Sequence, residues 1–71
     1  MGQDILEKLE RESEPLCKAA RSFAGDKWEI TGFEKINSST FAITMANRKK
    51  PKKIRTYKCV YDKYCWYFLQ E

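Results

Sequence analysis

No histidine occurs in this chain. The commonest general base and metal ligand near neutral pH is therefore missing, and catalysis has little to start from. The three glycines, Gly2, Gly25 and Gly32, lie too far apart to cradle a phosphate in one loop. The three cysteines, Cys17, Cys59 and Cys65, make a poor disulfide framework, being odd in number, and have no histidine to complete a zinc set. Three reduced, half-buried thiols are expected, with no metal and no cofactor. A nucleophilic Cys17 would need a basic partner to lower its pKa, and its place on an apolar helix face predicts packing instead. The carboxylates Asp4, Glu7, Glu10, Glu12 and Glu14 have the spacing of a solvated helix face, with pairs such as Glu7 and Arg11. A non-enzymatic protein is the expectation.

Long apolar runs are also missing. None approaches the ~20 residues that span a bilayer, so no membrane partner is expected. Met1 to Leu6 carries neither the basic nor the apolar region of a signal peptide, and Leu6 stands where the myristoylation pattern wants Ser or Thr. These absences predict a soluble, cytoplasmic protein.

What is present is enough for one small core. Apolar residues make up 42% of the 71 and aromatics 14%, which argues against disorder. A chain this short hides only about 60% of its unfolded surface, so one marginally stable domain over 1–71 is expected. Charge is unevenly placed. Residues 1–26 carry four basic and six acidic side chains, whereas residues 27–71 carry ten basic and four acidic. Within the second part, Arg48-Lys49-Lys50-Pro51-Lys52-Lys53-Ile54-Arg55 holds six cations in eight residues and no anion.

The fold class predicted is α+β: one or two N-terminal helices packed on a four-stranded antiparallel β-meander, helical over 3–24 and sheet over 27–70. Ile5, Leu6, Leu9, Leu16, Ala19, Ala20 and Phe23 recur at helical spacing. Pro15 belongs in a first turn, so two helices over about 3–12 and 14–24 are favoured over one kinked helix, with Ser13 as N-cap and Gly25 closing the second. After Asp26 the period becomes two. Residues 27–36 read as a strand with Trp28, Ile30 and Ile36 inward, and mid-strand Gly32 before off-parity Phe33 predicts a bulge. Asn37-Ser38-Ser39 signals a turn, and 40–46 alternates with Phe41, Ile43 and Met45 inward. The basic stretch then forms a hairpin tip. Strands over 53–61 and 64–70 follow, joined by a turn at Asp62-Lys63.

That turn would set Tyr61 opposite Tyr64, Cys59 opposite Trp66 and Tyr57 opposite Phe68; a three-residue loop would set Cys59 opposite Cys65 instead. The core expected on the sheet side is Phe41, Ile43, Met45, Trp28, Ile30, Trp66 and Phe68, with Leu6, Leu9, Leu16, Ala20 and Phe23 across from it. Phe33 and Tyr67, on the other parity, are candidates for exposed stacking residues.

A protruding basic tip attracts a polyanion. The expected function is a non-catalytic nucleic-acid-binding module of little sequence specificity, its DNA or RNA backbone contacted by Arg48, Lys49, Lys50, Lys52, Lys53, Arg55 and Lys58. Lysines interleaved with aromatics would suit single strands as well. The alternative is a small inhibitor or adaptor that docks on an acidic protein surface, the tip steering the encounter. Gly25-Asp26 before a strand, Gly32-Phe33 within it and a proline-bearing basic arm are similar to features of histone-like architectural proteins. That resemblance covers only a few residues, and the C-terminal helix of those proteins has no counterpart, so no membership follows. It implies DNA contact through a β-arm whose proline can wedge between base steps.

Overall fold

The computed structural model describes residues 2–70, with side chains described from Ile5. Two helices, α1 (Gly2–Glu12) and α2 (Glu14–Ala24), precede four strands, β1 (Trp28–Asn37), β2 (Thr40–Asn47), β3 (Ile54–Asp62) and β4 (Cys65–Gln70). The strands form one antiparallel sheet in the order β1-β2-β3-β4. This is the α+β arrangement of helices followed by a meander. Among the described residues no helix is long and apolar enough to cross a membrane.

The break between the helices is local chemistry. Ser13 is extended (φ −160°, ψ 101°), and its hydroxyl accepts from the Leu16 N–H at 3.3 Å, while Pro15 sits in the first turn where no donor is lost. At the other end Gly25 takes φ 61° and donates its N–H to the Arg21 carbonyl at 3.0 Å. Only glycine adopts that backbone without strain.

The helices cover one face of the sheet. Leu9, Leu16, Cys17, Ala20 and Ala24 meet Ile30, Phe41, Ile43, Met45, Tyr57 and Cys59 in a single buried cluster. Ile5, Leu6, Trp28, Phe33, Trp66 and Phe68 pack around it, partly buried. Trp28, Trp66, Phe68 and Leu6 therefore belong to the rim rather than the centre. Phe23, expected inside, is 48% exposed, although its ring stacks on Phe68 at 4.6 Å. Tyr57, Cys17 and Cys59 are buried in its place because they stand nearer the middle of the covered face.

Three expectations are corrected. In β1 the register shifts between Ile30 and Gly32, which confirms the bulge. The extra residue, Thr31, turns Phe33 to the inner face, where it lies 6.4 Å from Phe41. Phe33 is thus a packing residue and not a stacking platform. The same parity change sends Ile36 outward, where it is 53% exposed. The last hairpin turns at Lys63-Tyr64, one residue later than expected. Asp62 pairs with Cys65, Tyr61 with Trp66 and Cys59 with Phe68. Every partner moves by two, so each side chain keeps its face, and only Tyr64 leaves the sheet to stand 95% exposed at the tip. The turn puts both Lys63 (φ 51°) and Tyr64 (φ 66°) in the left-handed region. Against that strain the register gains aromatic contact: Trp66 meets Tyr61 at 5.2 Å and Phe41 edge-on at 5.8 Å.

Candidate nucleic-acid interface

The basic stretch forms the β2–β3 connection, as the alternation on either side predicts. Its shape follows from Asn47. The side-chain Oδ1 accepts from the N–H groups of Lys49 and Lys50 at 2.9 and 3.0 Å, an Asx turn that folds the chain back at once. Pro51 then occupies the second position of a β-turn closed by the Lys53 N–H donating to the Lys50 carbonyl at 2.8 Å, the position its fixed φ suits. Asn47 N–H donates to Lys53 at 3.0 Å, and Arg48 N–H donates to the Lys27 carbonyl at 2.9 Å, tying the loop to the start of β1. The loop is short and tied down by these bonds, not a loose arm.

Five cations lie in the six residues 48–53, and all five side chains are exposed. Among the described residues the ion pairs are Lys18–Glu14 and Lys35–Glu12, both elsewhere, so no carboxylate neutralises the tip. Holding these charges together costs stability that a tight loop must offset. Arg55 and Lys58 stand apart from the tip. Arg55 points to the covered side of the sheet, its guanidinium 5.0 Å over the Trp28 ring. Lys58 projects from the open face, paired across strands with Ala42 and Leu69.

Two cations that sequence spacing did not bring together join the same end of the molecule. Lys27 is joined to Arg48 through the backbone, and Arg21 lines an open cleft of about 860 Å³ together with Arg48 and Trp28. Asp26 and Glu29 line that cleft too, as do Gly25 and Ala24 from the negative end of α2. An anion would therefore meet the tip from outside and not from within the cleft.

The open face of the sheet carries the small side chains of Thr40, Ala42, Thr44 and Ala46 in β2, with Tyr67 of β4 at 48% exposure. Two of the three thiols, Cys17 and Cys59, are buried and not reactive-site candidates by their setting. Burial pushes Cys59 up to about 12, and burial, with Glu10 adding to it and Arg21 opposing, raises Cys17. Comparison with protein families, with curated proteins and with solved structures finds no match.

Proposed function

We propose that this protein is a non-catalytic nucleic-acid-binding module that grips the phosphate backbone with the β2–β3 tip. The observation that supports it most is the group of five exposed, unneutralised cations, Arg48, Lys49, Lys50, Lys52 and Lys53, on a hydrogen-bonded loop. A rigid loop loses little entropy on binding, and its lysines have only phosphates to find. Contacts of this kind carry little sequence information. Lys27 extends the footprint along one end of the sheet, while Arg55 serves Trp28 and Lys58 remains a separate contact on the open face.

The test is fluorescence anisotropy with duplex DNA and with single-stranded RNA over a salt series. Binding through four or five phosphates gives log K against log salt a slope of roughly −4 on duplex, at about −0.9 per contact. Replacing Lys49, Lys50, Lys52 and Lys53 together by serine removes most of that slope while the thermal midpoint stays or rises, since no packing is lost. Absence of binding at low salt refutes the reading. A protein partner retained from nuclease-treated lysate in moderate salt would transfer the same tip to an acidic protein surface.

A further inference from the structure

The two edges of the sheet are built differently. The β1 edge is interrupted twice, by register shifts at Thr31 and at Ile36, and carries Glu29, Glu34 and Lys35. Bulges and charges are how a protein stops another strand from pairing there. The β4 edge has none of these guards. Cys65-Trp66-Tyr67-Phe68-Leu69-Gln70 contains no charge and no proline, and its pairing to β3 runs without a bulge. In a hairpin closed by a two-residue turn, bonding alternates from the turn, so Trp66, Phe68 and Gln70 present their backbone N–H and C=O groups outward. The Trp66 carbonyl meets the Cys65 thiol at 3.9 Å, too long to satisfy it. Around this edge lie partly exposed apolar groups: Phe23 stacked on Phe68 inside, Tyr67 and Leu69 on the open face.

We propose that β4 pairs antiparallel with β4 of a second copy, joining two meanders into one eight-stranded sheet about a twofold axis. The strand is complementary to itself. Centred on Tyr67, the pairing sets Tyr67 opposite Tyr67, Trp66 opposite Phe68 and Cys65 opposite Leu69, with the helix-covered faces of both copies on the same side. Trp66 and Phe68 are the residues whose outward groups would then exchange hydrogen bonds. The pairs Tyr67–Tyr67, Trp66–Phe68 and Cys65–Leu69 carry no charge, so no like charges meet, which is the condition for a strand to accept its own copy. Burying the exposed parts of Phe23, Tyr67 and Leu69 and the strand edge on both copies removes on the order of 1,000 Å² in total, the lower bound for a specific interface. The twofold places the two basic tips at opposite ends of the combined sheet, clear of the contact. The inference does not depend on what the tips bind.

Sedimentation equilibrium on the wild-type chain, with Tyr67→Lys and Tyr67→Glu variants, decides it. At about 100 µM, a range suited to a small interface, the wild type is expected to sediment at twice the monomer mass. Tyr67→Lys sets like charges face to face and is expected to sediment as a monomer with an unchanged circular dichroism spectrum, because Tyr67 lies on the open face. Mixing the Lys and Glu variants in equal amounts is expected to restore the dimer. A monomeric wild type overturns the proposal and leaves the edge to a strand from another protein. A Tyr67→Lys variant that stays dimeric, or a mixture that stays monomeric, also overturns it.

Discussion

Replacing Phe41 by alanine should remove most of the stability of this domain. The side chain is 1% exposed, beneath the helices, with its ring centroid 6.4 Å from that of Phe33 and 5.8 Å, edge-on, from that of Trp66. Phe→Ala in a core costs about 3–5 kcal/mol, and the two aromatic neighbours place this site toward the upper end. At about 0.05–0.15 kcal/mol per residue, a domain of this size holds roughly 4–10 kcal/mol in all. The variant is therefore marginal at 25 °C. Phe23→Ala is the internal control: its ring already lies half in water, so about 1 kcal/mol is expected from the apolar area at stake. Urea titrations followed by circular dichroism and by tryptophan fluorescence compare the two, and Trp66 reports directly on the Phe41 contact. If Phe41→Ala costs no more than Phe23→Ala at an unchanged m-value, Phe41 is not under the helices and the sheet has been placed wrong way round.

Exchanging Lys63-Tyr64 for Asn-Gly should stabilise the protein by about 1–2 kcal/mol, seen as a higher thermal midpoint, because both positions have positive φ. Asn47→Ala should cost about 1 kcal/mol and speed amide exchange at Lys49 and Lys50, whose N–H groups lose the Oδ1 acceptor. Cys59 gives a pH dependence of known sign. Its thiol is neutral when folded up to about pH 12 but ionises near 9.0 when unfolded, so stability attributable to it is intact below pH 9 and falls as pH rises toward 12. The loss is of the order of 1 kcal/mol per pH unit, and Cys59→Val should flatten that part of the stability curve relative to wild type.

The element boundaries follow from short-range chemistry that a single chain displays. Ser13 before Glu14-Pro15, glycine after Ala24, the change of period at Asp26 and the Asn37 turn act within a few residues, so helices, strands and their order were legible. The basic tip was legible for the same reason: alternation on both sides leaves those residues nowhere else to go. Asn47, which shapes the tip, could have been noticed as an Asx-turn residue from its place at the end of an alternating run. Other features depend on pairs that only tertiary structure forms. Gly32 and off-parity Phe33 announced a bulge in β1, but only the pairing with β2 made Thr31 the extra residue and so put Phe33, not Ile36, on the core face. The last turn moved to Lys63-Tyr64 despite strain, because Trp66 and Phe68 found Phe41 and Phe23, residues far away in the chain. Likewise Arg55 was drawn to Trp28, and Lys27 came round to Arg48 of the tip. Contacts of this kind are chosen by the packing of the whole molecule and leave no trace in local spacing.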